Sequence, residues 1–325
     1  MPTFHSYKTQ EEWLELRSQD ITSTESSALF GLSPYVTEFE LYHNKVGEQI
    51  NSFVATERMK WGNRLESAIA YGVAEDYGLI VEPFKEYVRH IECPRMGSSF
   101  DFIVSGIVTD FDGDNEFRQL FLAHGCGILE IKNVDGLIYN RKWQEKEAPD
   151  HIEVQVQHQL EVASMHWTMV CPLVGGNEAK PFARLYDPEI GRALREVVTN
   201  FWKMIEDGTP PQPNFARDAE FIIQLHQNAG GDVLDATGDE KVESLLKEYD
   251  LQGRIEKDAD LRRKAIKAEL LEYIGDASKV ICGNMTLSAT MTAETPPKVI
   301  TTDMVGNEIG GRKGFRNFRL TVRGE

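Results

Sequence analysis

The spacing of apolar residues switches from helical to strand-like and back within the first two thirds of the chain. This switch limits the fold more than any other feature. Ala55 to Tyr77 has the 3.6-residue spacing of a long helix ending at Gly78. Val81 to Ile91 and Ser99 to Ile107 then alternate as strands do, and Gly127-Ile128-Leu129-Glu130-Ile131-Lys132 reads as a strand leaving a turn. Helical spacing returns over Asp150 to Met165, followed by strands near Trp167 to Leu173 and Phe182 to Tyr186 and a helix from Pro188 to Asp207. Such a chain can be neither a helical bundle nor an all-β sandwich. It predicts an α/β (α+β) fold with a mixed central sheet flanked by helices.

Helical spacing also opens the chain, around Glu11 to Arg17, and a Ser/Thr-rich turn from Ile21 to Gly31 leads into a second helix; a third is expected from about Thr37 to Val46. Gly208-Thr209-Pro210-Pro211-Gln212-Pro213 is the clearest boundary, dividing a domain at 1–215 from an extension at 216–325. In the extension, Val242, Leu245, Leu246, Tyr249, Ile255, Ile266, Leu270 and Tyr273 lie amid dense charge, as in one amphipathic helix or a helical pair divided at Gly253; short strands follow. The 325 residues suffice for one large domain or two, without disulfide or metal support.

Composition removes several classes. Apolar runs are too short to span a bilayer, and Met1 to His5 lack a signal-peptide pattern, so a protein of the cytoplasm is expected. Cys93, Cys126, Cys171 and Cys282 form no CxxC pair, which argues against a zinc ribbon, a disulfide framework or an iron–sulfur cluster. The net charge of −17 argues against coating nucleic acid through a general basic surface, but leaves room for a local basic channel.

The chemistry-bearing residues lie along the strands. Asp101 follows Gly97-Ser98-Ser99-Phe100, and Glu130 and Lys132, two apart on a strand, project from one face. Two carboxylates and a lysine so placed are what Mg²⁺-dependent phosphodiester hydrolysis requires: oxygen donors for a hard cation and an ammonium beside the attacking water. Glu66, on the preceding helix, can add a further ligand. A solvated strand end explains the fragment equally well.

The wider pattern is more specific. Trp13-x-x-x-Arg17, Thr22-Ser23-Thr24, Ser33-Pro34-Tyr35, Trp61-Gly62-x-x-x-Glu66, Ser99-x-Asp101, Glu130-Ile131-Lys132 and Gln155-Val156-Gln157-His158-Gln159-Leu160 occur in that order. Over roughly residues 10 to 215 the chain resembles the YqaJ viral recombinase family, within the lambda-exonuclease-like branch of the PD-(D/E)XK nucleases. The resemblance implies a restriction-endonuclease-like core. It implies Asp101, Glu130, the Ile131 carbonyl and Glu66 as metal ligands, Lys132 as the catalytic lysine and Gln155 as the active-site glutamine. Arg17, Thr24 and Ser99 would bind the 5′-phosphate of a DNA end.

The resemblance further implies Mg²⁺, with Mn²⁺ able to substitute, and 5′-to-3′ digestion of linear duplex DNA leaving 3′ overhangs. It implies a RecT-like single-strand annealing partner, a homo-oligomer in the form of a trimeric ring, and a phage or prophage origin in a bacterial cytoplasm. An endonuclease of the same fold and a non-catalytic scaffold are the alternatives. Two features depart from the family: Phe100 and Phe102 stand where it usually has Pro and Gly, and the long spacing from Asp101 to Glu130 suggests an extended hairpin through Asp112-Gly113-Asp114.

Other groups read more plainly. His151, His158 and His166 are taken as polar helix-face residues rather than a metal site, Asp110, Asp112 and Asp114 as a turn rather than a calcium loop, and Trp143 and Trp202 as core or interface residues. In the tail, Arg312, Lys313, Arg316, Arg319 and Arg323 alternate with Phe315 and Phe318, either tracking a nucleic-acid backbone or forming a charged edge strand.

Overall fold

The computed structural model describes residues 2–48, 56–144, 146–226 and 233–294, together with the backbone of 298–299, 308–309, 315–316 and 319–322. It comprises two compact units, Met1–Gly230 and Gly231–Glu325. In the first, the order is β1 (Thr3–Ser6), α1 (Gln10–Ser18), β2 (Ile21–Thr22), α2 (Ser26–Leu29), α3 (Glu38–Lys45), α4 (Glu57–Tyr77), β3 (Leu79–Pro83), β4 (Glu86–Arg89), β5 (Met96–Ser98) and β6 (Phe102–Ile107). It continues α5 (Glu116–His124), β7 (Gly127–Val134), α6 (Gly136–Lys142), α7 (Asp150–Ala163), β8 (Trp167–Val174), β9 (Glu178–Ala179), β10 (Phe182–Leu185), α8 (Pro188–Glu206) and α9 (Ala219–Leu225).

The expected mixed sheet is present. Its order is β10-β8-β7-β6-β3, with β9 on β8; β7 and β8 run parallel and the other pairs antiparallel. The parallel pair is the most deeply buried part of the sheet and is covered on both faces. On one face, Ile69, Ala70 and Val73 of α4 and Phe117 of α5 pack against Phe102, Leu129, Ile131 and Met169. On the other, Ile152 and Val156 of α7 meet Val170 and Phe182. Gly127 lets the Trp167 ring lie where a Cβ would otherwise stand.

A second sheet, β1-β4-β5-β2, takes the other half of the strand expected over 81–91: that segment breaks at Phe84-Lys85 and contributes β3 to one sheet and β4 to the other. The two short strands β2 and β5 pair in parallel, Thr22 opposite Gly97, which brings the Ser/Thr turn beside the approach to Asp101.

The extended hairpin expected between Asp101 and Glu130 is replaced by helix α5. Asn115 caps it by accepting from the Phe117 and Arg118 amides, and Phe117 and Phe121 lie one turn apart in the apolar cluster. The first unit also runs past the boundary expected at 215. Asp218 is fully buried, accepting from the Thr37 hydroxyl at 2.6 Å, and Phe221 of α9 packs edge-on against Phe39. Trp143 and Trp202 are buried, and all four cysteines are free thiols.

The second unit begins with α10 (Glu240–Ile274), followed by β11 (Lys279–Cys282), β12 (Met285–Ser288), β13 (Met291–Thr292), β14 (Lys298–Val299), β15 (Glu308–Ile309), β16 (Phe315–Arg316) and β17 (Arg319–Val322). Gly253 does not divide the helix. The ladder runs through it, with ion pairs Glu243–Lys247, Asp250–Arg254 and Asp260–Lys264 at four-residue spacing along the exposed surface. The strands pair as β11-β12-β17, β13-β16 and β14-β15.

Candidate active site

Asp101 sits immediately before β6, where that strand leaves β7. Phe102 pairs with Leu129, so Asp101 comes opposite the start of Glu130-Ile131-Lys132, and its Oδ2 accepts the Ile131 amide at 2.9 Å. The two phenylalanines that flank Asp101 fix this position. Phe100 is buried in one cluster and packs on Phe84 at 4.7 Å between ring centroids, whereas Phe102 is buried in the other and meets Tyr71 edge-on at 5.8 Å. Asp101 is thus held at the junction of two cores.

Glu130 is only 2% exposed, and its partners come from β7 and α7. Lys132 Nζ donates to Oε1, Gln155 Nε2 donates to the same oxygen at 2.6 Å, and Gln159 Nε2 donates to Oε2 at 2.7 Å. Gln155 also turns its Oε1 toward Lys132 Nζ at 3.3 Å. The two glutamines lie four residues apart, one turn of α7, which is why both reach one carboxylate. Gln159 stands in the Gln155–Leu160 motif but has no role of its own in the sequence reading, although its four-residue interval from Gln155 carries the signal.

Glu66 reaches this group from α4, which packs on β7. Burial raises its carboxyl pKa, with the charge of Glu130 adding and that of Lys132 opposing. The Asp101 carboxyl lies well above its usual value, first from burial and then from Glu130 and Glu66, against the opposing Lys132 ammonium and Ile131 amide. For Lys132, burial acts to lower the pKa, but Glu130, Asp101 and Glu66 outweigh it and hold the side chain as an ammonium. Three carboxylates facing one lysine leave surplus negative charge on hard oxygen donors. That donor set suits Mg²⁺, which is commonly held by one or two carboxylates with waters and phosphate oxygens. Among the described residues, no three histidine, cysteine, aspartate or glutamate side chains by themselves form a ligand cluster.

Arg17 and Thr24 come together beside the edge strand β2 of the second sheet, and Ser99 follows β5, the strand paired with β2. Arg17 Nη2 donates to Thr24 Oγ1 at 3.1 Å and Thr22 Oγ1 at 3.4 Å, while its guanidinium stacks 4.4 Å above the Trp13 ring. Ser98 Oγ bonds Ser23 Oγ at 3.0 Å, tying the two chain segments together just before Ser99 and Thr24. The neighbouring Glu25 is paired with Lys45 at 3.0 Å, so the Arg17 fork faces hydroxyls rather than a carboxylate. This arrangement can receive a phosphate.

The histidines separate. His158 is fully buried rather than on a polar helix face; burial pushes its pKa down to about 4, so the neutral ring donates from Nε2 to the Gly97 carbonyl at 3.1 Å. His166 packs against His124, and His151 lies edge-on to Tyr35. In the tail, Arg312, Lys313 and Arg323 lie outside the described residues, and the backbones of Arg316 and Arg319 belong to two different strands, β16 and β17. Among the described residues, no helix is long and apolar enough to cross a membrane.

Part of the chain is similar to known proteins. The YqaJ-like viral recombinase domain matches residues 12–166. An uncharacterized protein YqaJ of Bacillus subtilis (strain 168) is 28% identical over 203 residues, 61% of this chain and 57% of that protein, so the match spans little more than half of the relative's length. Among solved structures, an alkaline exonuclease (LHK-Exo) from Laribacter hongkongensis is similar over 66% of this chain and 100% of its own, at 16% identity and a TM-score of 0.47. A phage-related exonuclease from Haemophilus somnus 129PT is similar over 58% of this chain and 94% of its own, at 10% identity and a TM-score of 0.40.

Proposed function

Starting from the match of residues 12–166 to the YqaJ-like viral recombinase domain, we propose that this protein is a Mg²⁺-dependent exonuclease. It digests linear double-stranded DNA from the 5′ end and leaves 3′ overhangs for recombination by strand annealing. The observation that carries this reading is the joint placement of Asp101 on the Ile131 amide and of Glu130 between Lys132 and Gln155. An acid from the start of β6, an acid and a lysine from β7, and a glutamine from α7 converge where β6 and β7 part.

Asp101 and Glu130, with Glu66 and the Ile131 carbonyl, would hold the cation. When bound, Mg²⁺ (or Mn²⁺) polarises the scissile phosphate and acidifies a water. Lys132, an ammonium here, offsets charge that develops on the phosphate oxygens. Gln155 orients Lys132 against Glu130. Arg17, with Thr24 and Ser99, holds the terminal 5′-phosphate, which fixes where the chain is cut and makes cleavage depend on an end. Work beside a RecT-like annealing protein, assembly as a trimeric ring around DNA and a site of action in the bacterial cytoplasm complete the reading. Arg312, Lys313, Arg316 and Arg319 are offered as further DNA contacts.

The test is digestion of linear duplexes bearing 5′-phosphate or 5′-hydroxyl ends, with a covalently closed circle alongside. Faster loss of the 5′-phosphorylated strand and an intact circle are expected. A cut circle makes the protein an endonuclease, and no cleavage with either Mg²⁺ or Mn²⁺ leaves a scaffold.

A further inference from the structure

Tyr35 is 83% exposed, yet it stands on a firmly held turn. Ser33 is buried, and its Oγ accepts the amides of Tyr35 and Val36, each at 3.2 Å. The Ser33 amide donates to Ser27 O at 3.2 Å, and Arg217 clamps the same turn from the far end of the unit through the Ser33 carbonyl at 2.5 Å and that of Gly31 at 3.4 Å. A single exposed tyrosine needs no explanation. A tyrosine held in the open by five hydrogen bonds around its turn is a different matter.

Its placement says what it is for. The Tyr35 ring meets His151 edge-on, with centroids 5.8 Å apart and planes at 82°. His151 opens the α7 stripe that continues through Gln155 and Gln159, and Gln155 contacts Lys132 and Glu130. One helical turn, about 5.4 Å along the axis, therefore separates the residue under Tyr35 from the group that touches the candidate catalytic lysine. The positive charge of Lys132 is felt at His151, where it adds to burial in lowering the imidazole pKa.

We propose that Tyr35, backed by His151, is a stacking platform for a nucleobase flanking the scissile phosphodiester. This rests on the nuclease reading and extends it to substrate positioning. An aromatic face takes any base, because stacking needs only a π surface, so the platform serves an enzyme that must accept every sequence. The His151 edge holds the ring at a fixed tilt.

The test uses 5′-phosphorylated duplexes carrying 2-aminopurine in turn at the nucleotides flanking the first scissile bond, bound to the Lys132→Ala protein so that cleavage does not intervene. Stacking quenches the probe at one of these positions. Adding Tyr35→Ala is expected to abolish the quenching, Tyr35→Phe to retain it and His151→Ala to weaken it. In the otherwise native enzyme, Tyr35→Ala raises KM about tenfold or more while kcat changes less. Equal quenching and equal KM with and without the ring would overturn the platform while leaving the nuclease reading intact. A native protein that neither binds nor cuts DNA would overturn both.

Discussion

Gln155 Nε2 lies 2.6 Å from Glu130 Oε1, so helix α7 grips the carboxylate of strand β7 directly. The same amide presents its oxygen to Lys132, and Gln159 takes the other Glu130 oxygen one turn further along. The two glutamines therefore differ in consequence. Gln155 touches the lysine as well as the acid, whereas Gln159 is buried beneath them and satisfies only the acid.

Gln155→Ala is expected to lower kcat about 10- to 100-fold with little change in the denaturation midpoint, reflecting loss of a hydrogen bond to a charged group of roughly 1.5–3 kcal/mol. Gln159→Ala leaves a buried carboxylate oxygen without its donor and should destabilise the fold by about 1–3 kcal/mol. Urea denaturation paired with single-turnover kinetics separates the two. Equal effects of both substitutions on both measurements would show that the glutamines form one structural unit.

Arg17→Ala should remove the preference for 5′-phosphorylated over 5′-hydroxyl ends, slowing digestion of the phosphorylated strand about tenfold or more while leaving the hydroxyl end nearly unchanged. Arg17→Lys keeps the charge but loses the fork and should fall between. An unaltered preference in Arg17→Ala would place the terminal phosphate elsewhere.

Much of this site was legible because strands and helices impose simple intervals. Glu130 and Lys132 share a face by the two-residue repeat, and Gln155 follows on the next helix. The course of the chain between Asp101 and Glu130 was not legible. Asp112-Gly113-Asp114-Asn115 has turn chemistry, which masked the role of Asn115 as a helix cap. The short strand pairing β2 with β5 was equally hidden, since two residues carry no period, yet that pairing sets Thr22 beside Gly97 and the Ser/Thr turn beside the approach to Asp101. Nor does a polar helix disclose its own burial. His158, Gln159 and Glu161 lie inside because α7 packs against helices on one side and sheet on the other.

Glu161 gives an acid-stability prediction. Burial alone would raise its carboxyl pKa, but hydrogen bonds from His90, Tyr186 and Arg195 lower it to about 2, with His90 Nε2 at 3.0 Å. A carboxyl whose folded pKa lies below its unfolded value adds stability above the unfolded value near 4.5, and that stability fades as pH falls toward about 2. Glu161→Gln should therefore cost roughly 3 kcal/mol at pH 7, and the gap from the native protein should close across that acid range. Thermal melts of the two proteins at a series of pH values measure it. A gap that does not narrow on acidification would mean that the carboxylate charge is not what the cluster stabilises.

The central claim is that Asp101, Glu130 and Lys132 cut DNA, and Lys132→Ala tests it most directly. The substrate is 5′-phosphorylated linear duplex DNA with Mg²⁺, and binding is measured beside cleavage on the same preparation. Native protein is expected to degrade the duplex, while the variant binds it about as tightly and cuts at least a hundredfold more slowly. Cleavage by Lys132→Ala at the native rate would contradict the claim.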